Sequence, residues 1–206
     1  MKRNQWLILG EAIAVFGAIM LYIWRLRYTA PYAAIPIVAG IILAQILHRD
    51  PAAKLGFRRA NFRECFRIFG PGLLLIVALL LAAGAMWGMR PMGVRGVLLG
   101  LAAYCVWGLF QQYLLNSYLA NRLLALASER RVPLIAATIF SLVHLPNWFL
   151  MAVTFGAGYA STLIFMKYRN LYFLGLVHGL IGTLLFVVIP DSISHHLRVG
   201  PGFFTH

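Results

Sequence analysis

Six polar side chains stand where the neighbouring sequence is almost wholly apolar: Gln111, Gln112 and Asn116 in one run, His144 and Asn147 in a second, and His178 in a third. Polar groups cost free energy in hydrocarbon unless they are paired, so amides and imidazoles inside apolar segments call for partners. Gln112 and Asn116 are four apart and share a helix face, while Gln111 points about 100° away. His144 follows Phe140 by one turn and precedes Asn147 by nearly another, with Pro146 between. That proline has no N–H to donate and is expected to free the carbonyl of Leu142. His178 is flanked by Gly179 and Gly182, which invite close approach of another backbone. Imidazoles can take or give a proton near neutral pH, and a histidine within a spanning segment is a functional candidate by default. The plainer reading of the amides is interhelical glue, worth about 0.6–2 kcal/mol per bond. Glu11 is the one carboxylate well inside a predicted span, and such a residue is expected to pair with a nearby cation or to sit at the interface.

The elements that carry these residues follow from composition. The chain is 62% hydrophobic and only 11% charged, against about 25% charged for a soluble domain. It reads as one all-α, multi-pass membrane domain spanning residues 1–206. The long apolar runs exclude a β-barrel, whose strands are short and alternate. Seven apolar segments are expected, at 5–24, 31–47, 68–88, 94–119, 133–151, 154–166 and 171–190. The second is short and the sixth shorter, with small residues at Gly156-x-x-x-Ala160 and Ala157-x-x-x-Ser161 that suit close helix contact. Counted from the basic ends of their segments, Gln111 and His144 lie roughly 16 Å deep and His178 about 12 Å deep at 1.5 Å rise per residue. Three segments thus bring polar groups to one level, as a shared buried site requires.

Net charge is +13, which in a soluble chain would suggest nucleic acid. Here the basic residues sit between apolar runs, so no nucleic-acid partner is expected and the charge reads as topology. With the N-terminus cytoplasmic in the cell membrane, Lys2, Arg3, Arg49, Lys54, Arg58, Arg59, Arg63, Arg67, Arg122, Arg130, Arg131, Lys167 and Arg169 fall inside. Arg25, Arg27, Arg90, Arg95 and Arg198 fall outside. The 49–67 loop is expected to meet anionic lipid headgroups through a short interfacial helix, with Asn61 as N-cap, Glu64 as its reaching partner, Phe62, Phe66 and Phe69 on one face and Arg63 and Arg67 on another. Cys65 and Cys105 suggest no disulfide. Two separated histidines with amides make a poor zinc set, so no metal or other cofactor is expected. His195 and His196 read as a solvated loop and His206 as tail.

The sequence contains Gln111-Gln112-x-x-x-Asn116, then Phe140-x-x-x-His144, then His178-x-x-x-Gly182. In order, spacing and helix placement these resemble the three motifs of the CAAX protease and bacteriocin-processing enzyme family of intramembrane peptidases: Glu-Glu-x-x-x-Arg, Phe-x-x-x-His, and His-x-x-x-Asn or Asp. Leu55-Gly56-Phe57-Arg58-Arg59 resembles a stretch common before the family's core, so the likeness covers roughly residues 50–190. The resemblance implies a multi-helix endopeptidase that cleaves a membrane-associated peptide or protein. It also implies that the first glutamate, which would activate water, is replaced here by Gln111. An amide accepts no proton at working pH, so Gln111 is no general base. In the altered site His144 is then the expected base, His178 the water-positioning partner or acid, and Gln111, Gln112 and Asn147 donors to the oxyanion, with Asn116 and Phe140 in support. The alternative is a non-catalytic scaffold or binding protein that holds a membrane peptide or lipid in the same cleft.

Overall fold

The computed structural model describes residues 3–205. Lys2 and His206, both read above from sequence, lie outside the described residues, as does the side chain of Arg3. The chain is 80% helical, without strands among the described residues. α1 (Arg3–Leu21) widens into a π turn (Tyr22–Leu26) and ends at Arg27–Thr29. A 3-10 turn (Pro31–Ala33) leads into α2 (Ala34–Leu47). α3 spans Phe62–Trp87, and α4 (Gly93–Gln112) continues through a π stretch (Tyr113–Ala120) to Asn121–Leu123. α5 (Val132–Leu142), α6 (Trp148–Tyr168) and α7 (Leu171–Val188) complete the set, followed by short turns at Asp191–Ser194, His195–Leu197 and Gly200–Phe203.

Among the described residues five helices are long and apolar enough to cross a membrane: Asn4–Thr29, Phe62–Trp87, Gly93–Leu123, Trp148–Tyr168 and Leu171–Val188. Pro31–Leu47 and Val132–Leu142 are apolar but shorter. The protein is a multi-pass helical membrane protein. Two boundaries differ from the sequence expectation. The fifth apolar segment, expected to run 133–151, stops at Leu142, and the expected short sixth segment is a full-length helix that begins at Trp148. Pro146 breaks the run, and Asn147 restarts it by accepting a hydrogen bond from the Leu150 N–H at 3.0 Å, which caps α6. The carbonyl of Leu142 accepts from the Leu145 N–H at 3.2 Å within the intervening turn.

The described chain divides into two compact units. One comprises Met1–Pro51, Tyr118–Leu163 and Arg198–His206. In it Arg122, expected in a cytoplasmic loop, is only 2% exposed. Its guanidinium donates to Glu11 Oε1 at 2.9 Å, Asp50 Oδ2 at 2.8 Å and Gln45 Oε1 at 2.9 Å, and Glu11 Oε2 also meets His48 Nε2 at 2.8 Å. A buried cation survives here because three acceptors at fixed angles match the guanidinium fork. α5 and α6 approach at Gly158, where a Cβ would lie 3.2 Å from the Phe140 ring. Gly156, singled out in the sequence, has open space instead.

The other unit comprises Ala52–Ser117 and Ile164–Leu197. α4 and α7 pack backbone to backbone through glycines. A Cβ on Gly179 would lie 2.6 Å from Cys105 Cα, one on Gly175 2.9 Å from Leu109 Cα, and one on Gly108 3.0 Å from the Gly175 carbonyl and from His178 Cδ2. The aromatic face expected to lie in the headgroup layer belongs to the first turns of α3, with no separate interfacial helix. Phe66 stacks edge-on against Phe173 at 5.1 Å and Phe69 against Tyr168 at 5.4 Å, around buried Cys65, Phe165 and Leu174. Asn61 makes no side-chain cap to α3. Its Nδ2 donates to the Tyr168 carbonyl at 2.6 Å and its Oδ1 accepts from Asn170 Nδ2 at 2.8 Å. Asn170 Oδ1 in turn caps α7 through the Phe173 N–H at 2.9 Å. Gly56, at φ +87°, lends its carbonyl to the Leu171 N–H at 2.8 Å. The Leu55–Asn61 loop thereby pins the start of the helix that carries His178.

Candidate active site

The sequence-selected residues other than Gln111 fall into two hydrogen-bonded groups, one in each unit. The first is built on α4 and α7. Gln112 ends the regular part of α4, and Asn116 lies in the wide π stretch that follows. Such widenings are rare and recur at functional sites, because they turn a side chain off its usual row. Asn116 Nδ2 donates to Gln112 Oε1 at 2.6 Å, and Gln112 Nε2 meets His178 Nδ1 at 3.2 Å. Gln112 is 3% exposed and Asn116 fully buried, while His178 is half-buried. Gly108, one turn before Gln112, makes room for the imidazole. Asn116 Oδ1 is buried with no hydrogen-bond partner among the described residues. Leaving a buried acceptor so costs about 1–3 kcal/mol, and an atom in that state is a place for water or ligand. Gln111 is half-buried and stands outside this chain of bonds.

The second group sits at the break between α5 and α6. His144 is 6% exposed. Its Nδ1 lies 2.7 Å from the Phe140 carbonyl, and the two rings stand edge to face with centroids 5.0 Å apart. A carbonyl can only accept, so Nδ1 carries the proton and the neutral ring keeps its lone pair on Nε2. That is the form a base needs. Asn147, an expected oxyanion donor, is fully buried, and both ends of its amide serve the backbone. Oδ1 caps α6, and Nδ2 donates to the Arg198 carbonyl at 3.1 Å. The Gly200 N–H reaches the Leu145 carbonyl at 2.8 Å, so the C-terminal segment straps the His144 turn. Phe140 shapes the same turn by ring contact and by its carbonyl.

Sequence reasoning missed the Arg122 cluster. Its signal was present in Glu11, an intramembrane carboxylate that needed a cation, but Arg122 lies 111 residues further along the chain. No group of three or more histidine, cysteine or carboxylate side chains suited to a metal occurs among the described residues.

Neither a curated protein nor a solved structure matches the chain. Residues 93–184 match the family model described as type II CAAX prenyl endopeptidase, Rce1-like. That segment begins at the first residue of α4 and runs into α7, and so takes in all three sequence motifs. Over this segment, less than half of the chain, the protein is similar to the type II CAAX prenyl endopeptidases, with Gln111-Gln112 standing in the first of the three motifs.

Proposed function

We propose that the protein is an intramembrane endopeptidase of the CAAX type whose proton carrier is imidazole instead of carboxylate. The observation that carries this reading is the bond from Gln112 to His178: the residue at the family's second glutamate position still holds the third motif's histidine. Amides cannot remove a proton from water, which leaves the histidines. His144, fixed with its Nε2 lone pair by the Phe140 carbonyl, is the base of this reading. His178 is the second imidazole, and Gln111 and Gln112 are donors to the oxyanion. Asn147 supports His144 through the turn it anchors. The substrate is a membrane-associated peptide or protein, and the N-terminus lies on the cytoplasmic side of the cell membrane. Lys54, Arg58, Arg59, Arg63 and Arg67 are exposed and suit anionic headgroups at that face.

The replacement of both glutamates favours a second reading, in which the chain binds such a peptide without cutting it. Purified protein in lipid nanodiscs, given prenylated and unprenylated peptides ending in a CAAX sequence, separates the two. Cleavage by wild type that falls at least about a hundredfold in His144→Ala and in His178→Ala supports the peptidase, since a placed base contributes roughly 10²–10⁴. Binding without turnover supports the scaffold. Equal turnover by all three proteins removes the imidazole mechanism.

A further inference from the structure

The turn that carries His144 is braced from outside the two helices it joins. Within it, the His144 N–H donates to the Ser141 carbonyl at 2.9 Å and the Asn147 N–H to the His144 carbonyl at 3.0 Å. A turn outside regular helix holds its side chains only as firmly as its bonds allow. Two further bonds come from Arg198–Gly200. The Arg198 carbonyl accepts from Asn147 Nδ2 at 3.1 Å, and the Gly200 N–H donates to the Leu145 carbonyl at 2.8 Å. This strap is itself seated on α1. Gly200 has φ +61°, and a Cβ there would lie 2.8 Å from Ile23 Cγ2 and 3.1 Å from the Ile23 carbonyl oxygen. Only glycine suits a left-handed backbone pressed so closely onto another. Ile23 belongs to the π turn Tyr22–Leu26, and widenings of that kind recur at functional sites. Further along, a Cβ on Gly202 would lie 3.1 Å from the Tyr28 hydroxyl, and Arg198 Nη1 donates to the Thr205 carbonyl at 2.6 Å, which closes the strap on itself. Seat, strap and turn all lie in one compact unit. Neither α1 nor the strap falls within residues 93–184.

We propose that Arg198 and Gly200 are positioning residues for His144: the strap they form, seated on the π turn of α1, fixes the turn between α5 and α6 and so the place of the imidazole. This inference rests on the peptidase reading for its use, though not for its geometry. Neither residue acts on substrate, and both act through the turn. The Phe140 carbonyl settles which ring nitrogen carries the proton, but it belongs to the same segment as His144 and moves with it. The strap ties that segment to a different part of the unit. A displacement of about 1 Å at a reacting group can cost about a hundredfold in rate. Losing the strap is therefore felt in the chemical step more than in the binding of substrate.

The test compares the full chain in nanodiscs as wild type, Gly200→Ala, Arg198→Ala and the control Gly17→Ala, whose added methyl meets nothing within 4 Å. Cleavage per folded protein is measured beside ¹⁵N spectra of histidine-labelled protein, with the His144 resonances assigned by their loss in His144→Gln. In Gly200→Ala the kcat is expected to fall at least about tenfold while the KM stays within about twofold. Arg198→Ala is expected to change in the same direction by less, and Gly17→Ala to match wild type. The His144 resonances are expected to shift or broaden in both strap variants and to stay in place in the control. A strap that serves only stability would lower the unfolding temperature and leave both the kcat per folded protein and the His144 resonances as in wild type, which would overturn the proposal. If Gly200→Ala does not fold, Arg198→Ala decides by the same two readouts. A wild type that cleaves nothing ends the peptidase reading, while His144 resonances unmoved by Arg198→Ala would still overturn the brace.

Discussion

Arg122 shows what one residue can hold in place. Its three nitrogens each reach a different acceptor, and its side chain and that of Asp50 are each only 3% exposed. Removing it in Arg122→Leu would take the guanidinium from the buried Asp50 carboxylate and from the part-buried Glu11, a loss of about 3–5 kcal/mol. Arg122→Lys recovers only part, because an ammonium cannot serve three acceptors at guanidinium angles. Chemical unfolding in micelles measures both, and equal stability of Arg122→Leu and wild type would contradict the cluster's role. Arg90 does comparable work outside the spans. Its guanidinium pairs with Asp191, donates to the Phe186 and Ile189 carbonyls, and so satisfies the end of α7. The hydrogen bonds from Arg90 hold the Asp191 carboxyl below its ordinary value of 3.8. A depressed carboxyl stabilises the fold above its unfolded pKa and loses that contribution as pH falls through the folded one. The stability gap between wild type and Asp191→Asn is therefore expected to be constant above about pH 4 and to shrink in more acid solution. A gap that grows on acidification would reverse the sign.

At the scale of elements, the α4–α7 contact decides where His178 points. Its close approach depends on Gly108, Gly175 and Gly179. Gly179→Ala forces a methyl against the Cys105 backbone, and overpacking of this kind costs about 1–3 kcal/mol. Gly156→Ala, with nothing within 4 Å of the new atom, is the matched control and is expected to be neutral. Thermal unfolding in detergent compares the two, and equal shifts would show that the glycines are incidental. Much of this element structure was legible. The apolar runs located the helices, and a spacing of four put Gln112 and Asn116 together. Three features were hidden because their causes lie far off in sequence or below the reach of hydropathy. Phe62, Phe66 and Phe69 had the right period, but their partners Phe173 and Tyr168 come about 100 residues later, so a packed face looked like a lipid-facing one. The Asn147 cap moved a helix boundary that hydropathy alone placed at Thr154. Arg122 read as a loop charge because nothing local announces its acceptors.

At the largest scale, five long apolar helices and two shorter ones among the described residues fix the class, and residues 93–184 are similar to the type II CAAX prenyl endopeptidases. The match does not reach the Arg122 partners in α1 and in the segment after α2, nor the C-terminal strap on the His144 turn. Both lie where hydropathy and motif spacing are silent, which is why the sequence pointed to imidazoles and amides without showing what steadies them. The central claim is that the altered site still cleaves and uses imidazole to do so. Turnover of a prenylated CAAX peptide by wild type beside Gln111→Glu tests it most directly. Measurable cleavage by wild type is expected, with a change of less than about tenfold on restoring the carboxylate, since the base proposed for the reaction is His144 and not residue 111. An inert wild type that gains robust activity in Gln111→Glu would mean the natural protein is a disabled descendant of a peptidase, and would contradict the account.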